Sequence, residues 1–153
     1  MPVSYSDGSE MESILIGSDH AGFAMKTLLK GFLEKHVQVI DVGCASAESC
    51  DYPEYAQDLC RRITNGEASR GILICGTGLG MSITANRHPG IRAALCTTEF
   101  HAKMSRLHNN SNVLVLGGRV IGEELALSIL KVWLETDFEG GRHQRRLNLI
   151  DTK

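Results

Sequence analysis

Cys75 ends the apolar run GILIC (71–75) and is followed at once by Gly76-Thr77-Gly78-Leu79-Gly80 and a stretch with helical spacing. A glycine-rich turn that opens a helix presents successive backbone N–H groups to one point, and such a nest attracts an anion. The same groups favour a thiolate, which makes Cys75 a candidate base. The alternative is an inert buried cysteine before a tight turn. Better-known loops do not fit. A dinucleotide GxGxxG needs a glycine where Met81 stands, a P-loop needs GK[ST], and a CxxxxxR phosphatase loop needs an arginine at that same position.

Other chemistry is spread along the chain. Ser18-Asp19-His20 follows SILIG (13–17) directly and brings two proton-transfer groups to a strand end. Asp19 also suits an N-cap, and the two roles are compatible. His108-Asn109-Asn110 closes a helical stretch, where the histidine serves either proton transfer or the helix dipole. Arg106 beside it reads as solvated surface. Arg119 follows Gly117-Gly118 at the end of a strand, where an arginine has no core role and anion binding is the better reading. Arg142 and Arg146 are four apart, on one helical face, and form either a phosphate clamp or a solvated basic face.

These residues must be held by a regular scaffold. The 153 residues suggest one domain, and 42% hydrophobic with 22% charged residues fits an ordinary globular chain. Strands are expected at 13–17, 37–43, 71–75, 91–96 and 112–118, separated by amphipathic helices, with Pro53 in a first helical turn and Thr98-Glu99 capping another. Strict alternation with strands apolar throughout argues for a parallel sheet covered on both faces, a three-layer α/β/α sandwich. In such sheets ligands bind beyond the carboxyl ends of the strands. Residues 1–12 read as a loose tail before a single domain over 13–153.

The formal charge is −2, with −3 on the first twelve residues and a local +2 on the last fifteen. That balance is too small for a nucleic-acid surface but enough for one small anion. No apolar run is long enough for a membrane span, and residues 1–12, without a basic start or an apolar stretch, do not read as a signal peptide. Five cysteines (Cys44, Cys50, Cys60, Cys75 and Cys96) without a CxxC pair point to reduced thiols in the cytoplasm. Neither they nor the six histidines show metal spacing, so no metal is expected.

The segments SDHAGF (18–23), DYPEYA (51–56), GILICGTGLGMSITANR (71–87), GIRAALC (90–96), SRLHNNSNVLVLGGRVIG (105–122) and FEGGRHQRR (138–146) together closely resemble one family. It is the RpiB/LacAB sugar-phosphate isomerases, which include the type B ribose-5-phosphate isomerases. The resemblance runs from about Ile14 to Ile150. It implies a five-stranded Rossmann-like sheet of order 2-1-3-5-4 and a cofactor-independent conversion of ribose 5-phosphate to ribulose 5-phosphate through a cis-enediolate, a step of the pentose phosphate pathway.

By this resemblance Cys75 is the base between C1 and C2, and Thr77 hydrogen-bonds its sulfur. The N–H groups of Gly76, Gly78, Leu79 and Gly80 face the enediolate. His108 opens the sugar ring, with Asp19 on the opposite side. Tyr52 and Asn109 contact the sugar, and His20, Arg119, Arg142 and Arg146 hold the phosphate. The family builds this site at a two-fold interface, which implies a homodimer or a tetramer of dimers. The loop CASAESC (44–50) and residues 1–12 depart from the family pattern, so a hexose 6-phosphate of the allose or galactose type stands as the alternative substrate. A non-catalytic sugar-phosphate sensor is a third reading.

Overall fold

The computed structural model describes residues 12–152. Its strands are β1 (Ser13–Ser18), β2 (Gln38–Gly43), β3 (Arg70–Cys75), β4 (Ala93–Leu95) and β5 (Val113–Gly117). Its helices are α1 (Phe23–Leu33), α2 (Tyr52–Thr64), α3 (Leu79–Ala85), α4 (Glu99–Leu107), α5 (Glu123–Glu135) and α6 (Arg142–Ile150), and a short 3-10 turn at His20–Gly22 leads into α1. The strands pair in parallel in the order β2-β1-β3-β5-β4, as the resemblance implies. The order in which strands are added therefore reverses between β1 and β3, where the carboxyl ends of those strands leave a crevice.

Alternation along each strand divides the core in two. Ile14, Ile16, Ile72, Ile74, Leu114 and Leu116 face α1, α4 and α5, meeting Met25, Leu29, Ala102, Ile129 and Trp133. Leu15, Leu73, Cys75, Val113 and Val115 face α2 and α3, meeting Ala56, Leu59, Cys60, Met81 and Ala85. Burying both faces explains why β1, β3 and β5 read as unbroken apolar runs. Trp133 is fully buried, and its indole N–H donates to Ser111 Oγ at 2.9 Å.

Two expectations about the strands need correction. β4 covers only Ala93–Leu95 rather than 91–96, because Ile91 belongs to the turn entering it. β2 is not apolar throughout. As an edge strand it is only half-buried, and it carries Asp41, which accepts from Lys26 Nζ at 2.9 Å and Lys30 Nζ at 3.3 Å. Lys26 is 2% exposed and also donates to the Cys44 carbonyl, so its charge is doubly satisfied inside the fold. Burial alone would raise the Asp41 carboxyl, but Lys26, the Gly43 N–H and Lys30 outweigh it and hold it below the usual range.

The expected tail lies outside the described residues apart from Glu12. That residue belongs to the fold: its carboxylate accepts from Arg70 Nε and Nη2 at 2.7 and 2.8 Å, a two-pronged ion pair.

Candidate active site

At the carboxyl end of β3 the Cys75 side chain is 4% exposed, and its Sγ accepts from the Gly78 N–H at 3.2 Å. Gly78 makes this possible. Its φ of +84° lies in the left-handed region, and a Cβ there would strike Leu95. The turn then opens α3, so its N–H groups gather at the head of a helix. Thr77 is exposed, and its hydroxyl accepts from the Leu79 N–H at 3.2 Å. The Gly78 backbone thus supplies a bond to the sulfur, while the Thr77 hydroxyl accepts within the turn and keeps its own proton to donate.

Three neighbouring loops meet the end of β3 and its turn. Asp19 follows β1, is 6% exposed, and its Oδ1 accepts from the N–H groups of Ala21 and Gly22 at 2.9 and 3.1 Å. The N-cap role is thus real, and the carboxylate stays at the strand end. His20 Nδ1 accepts from the Cys50 N–H at 3.2 Å, which leaves the proton of a neutral ring on Nε2. Arg119 donates its backbone N–H to the Gly76 carbonyl at 2.9 Å, and its side chain lies over Gly76. The Tyr52 ring covers Gly80 so closely that a Cβ would fall within it. One crevice thus gathers Asp19, His20, Tyr52, Cys75, the turn 76–80 and Arg119.

The remaining candidates form a second cluster. His108 is the C-cap of α4, with its N–H on the Met104 carbonyl at 2.9 Å. The exposed Asn109 follows, and Asn110 takes a φ of +46° to turn the chain into β5. The His108 ring stacks on the His143 ring of α6, with centroids 4.1 Å apart and planes 16° from parallel. Arg142 and Arg146, both exposed, flank His143 on α6. Burial, the adjacent His108 and these arginines push the His143 imidazole down against the pull of Glu139.

The two clusters lie at opposite ends of the strands. α4 runs back from Thr98, just past the carboxyl end of β4, to His108 near the start of β5. Arg92, ahead of β4, donates to the Asn109 carbonyl, and Gly71, early in β3, donates to that of Asn112. The rise of β3 from Arg70 to Cys75 alone amounts to roughly 17 Å. A single chain therefore does not bring His108, Asn109, Arg142 and Arg146 to Cys75.

Two residues escaped the sequence reading. Arg106 is not solvated surface. It is half-buried and donates to the Asn110 side chain at 3.1 Å, to the Thr136 carbonyl at 3.0 Å and to the Ser111 carbonyl. It therefore ties the turn after His108 to the segment leading into α6. His143 was passed over because nothing in its local sequence shows that it meets His108. Burial pushes the Cys60 thiol up to about 12 and the Cys96 thiol up to about 11.

Among the described residues, one group brings its atoms close enough to share a cation: His108, Glu139 and His143, all within 4.8 Å. The linear spacing of histidines did not reveal it. The near-parallel rings aim their in-plane lone pairs side by side rather than at one point, so this arrangement is a poor cation cage.

Residues 14–150 match a family model described as Ribose/Galactose Isomerase. The chain is 48% identical to ribose-5-phosphate isomerase B of Escherichia coli (strain K12) over 141 residues, covering 92% of this chain and 95% of that protein. It superposes on a ribose 5-phosphate isomerase from Thermotoga maritima with a TM-score of 0.90 at 52% identity, over 93% of this chain and 99% of that one. A ribose-5-phosphate isomerase B from Clostridium thermocellum gives a TM-score of 0.90 at 50% identity, over 91% and 95%.

Proposed function

The chain belongs to the ribose/galactose isomerase family, and on that premise we propose that it interconverts ribose 5-phosphate and ribulose 5-phosphate without a cofactor. The observation that carries this reading is Cys75 Sγ, seated against the Gly78 N–H at the mouth of the turn 76–80. Removing a proton beside a carbonyl builds charge on oxygen, and N–H groups gathered at the head of a helix stabilise such an enediolate. Cys75 takes the C2 proton of the opened aldose and returns it to C1. The N–H groups of Gly76, Gly78, Leu79 and Gly80 face the developing charge, and Thr77 orders their turn through Leu79.

Ring opening falls to His108, with Asp19 on the opposite side of the sugar. Tyr52 and Asn109 contact the sugar hydroxyls. His20, Arg119, Arg142 and Arg146 grip the phosphate, which fixes C1 and C2 against the sulfur. This division of labour needs two chains, each lending the His108 edge to the other's Cys75 crevice. Large apolar side chains support such an assembly: Leu79 and Ile83 on α3, Phe100 on α4, Val120, and Leu149 and Ile150 on α6 are all more than half exposed. The working unit is a homodimer, alone or doubled to a tetramer, formed by one domain over 13–153. Its free thiols suit the reducing cytoplasm.

The test is turnover measured side by side on ribose 5-phosphate and allose 6-phosphate. The reading expects the five-carbon substrate to be preferred by kcat/KM, and a preference for the six-carbon sugar contradicts it.

A further inference from the structure

The stacked pair at the α4–α6 junction is built more tightly than a surface histidine requires. His143 is 3% exposed, and its Nε2 is buried without a hydrogen-bond partner. The nearest carboxylate, Glu139 Oε2, stands 3.9 Å away and belongs to a residue more than half exposed. A buried polar nitrogen left unpaired costs stability, and an apolar residue would fill the same space without that cost. A flat ring at 4.1 Å and 16° instead gives His108 one rigid wall and restricts the broad rotation available to an imidazole. Two further contacts fix the wall. The Glu139 N–H donates to the Leu107 carbonyl at 3.0 Å, locking the start of α6 to the end of α4. Leu147, one turn on, is buried and anchors the same helix face.

We propose that His143 is a positioning residue: by stacking, it sets the His108 ring in the orientation needed to open the cyclic sugar, while the proton transfer at Cys75 does not depend on it. This inference rests on the isomerase reading above and assigns one step of it to the His108–His143 pair.

The two steps can be separated by chemistry. Ribose 5-phosphate closes into a ring and must be opened. Ribulose 5-phosphate stays open, because its 5-hydroxyl carries the phosphate and cannot attack C2. In D2O, Cys75 removes a C1 proton of ribulose 5-phosphate, the sulfur exchanges it for a deuteron, and the deuteron returns to C1. This exchange needs no ring opening.

The experiment measures isomerisation of ribose 5-phosphate and C1 exchange of ribulose 5-phosphate, the latter by proton NMR, in the wild type, His143→Ala and His143→Phe. His143→Ala is expected to cut kcat on ribose 5-phosphate by about tenfold or more while C1 exchange and KM stay within about threefold. His143→Phe, which restores a flat wall without the nitrogens, should recover most of kcat and guards against a folding defect in the alanine variant. If both rates fall together in His143→Ala, or if isomerisation is unchanged, the positioning role is overturned. If His143→Phe is as slow as His143→Ala, the wall is not what matters and the proposal fails. A wild type that neither isomerises nor exchanges would instead overturn the isomerase reading itself.

Discussion

Cys75 ends β3 at the carboxyl ends of the strands, whereas His108 closes α4 near their amino ends. Strand length sets their separation, so no side-chain rotation within one chain lets them share a five-carbon substrate. The proposed isomerase therefore draws its site from two halves. One holds the sulfur, the N–H turn, Asp19, His20, Tyr52 and Arg119. The other holds His108, Asn109 and the α6 arginines.

Replacing the sulfur separates chemistry from binding. Cys75→Ala should lower kcat by at least about 10²-fold, the usual lower size of a general-base effect. Affinity for a non-reacting phosphate analogue, measured by calorimetry, should change by less than about threefold. Near-normal turnover would remove Cys75 from the base role.

The phosphate contacts are expected to come from both half-sites. Arg119→Ala and Arg146→Ala should each raise KM for ribose 5-phosphate by roughly 10- to 100-fold, the scale of one charge-assisted contact. Steady-state kinetics decides this, and an unchanged KM in either variant would place the phosphate elsewhere.

Asp41 links stability to acid. Its carboxyl lies below the ordinary value in the fold, so the native state binds fewer protons than the unfolded chain as pH falls through that value of 3.8. Its contribution is present above about pH 4 and is lost below it. Asp41→Asn strips the buried Lys26 of its anion and should cost on the order of 2 kcal/mol at neutral pH. The melting temperature of that variant should fall less steeply between pH 5 and 3 than the wild type's. Parallel curves would mean that Asp41 does not govern this limb.

The scaffold was legible wherever a local pattern carries the information. The runs ILIG, GILIC and VLVLG read as strands because burial on both faces demands unbroken apolar side chains, and Thr98 caps α4 through the His101 N–H as expected. The strand at 37–43 was found but not its exposed character, because an edge strand needs no such run, which leaves room for Asp41. The crevice residues were legible too, since Asp19, Cys75 and Arg119 each stand at or within two residues of the carboxyl end of a strand. Arg106 and His143 were not. An arginine's spacing says nothing about which carbonyls its head will meet, and the His108 stack joins two helices far apart in sequence. Nor did the order of motifs reveal that helix α4 carries His108 away from the edge that holds Cys75.

The central claim is that each working site joins the Cys75 crevice of one chain to the His108 edge of another. Mixing Cys75→Ala with His108→Ala, after denaturing and refolding them together, tests it most directly. In a hybrid dimer one site inherits both defects and the other inherits neither. Random pairing then gives about one quarter of wild-type specific activity from two nearly inactive parents. A mixture no more active than the average of its parents, with hybrid dimers demonstrated by mass spectrometry, would contradict the shared site.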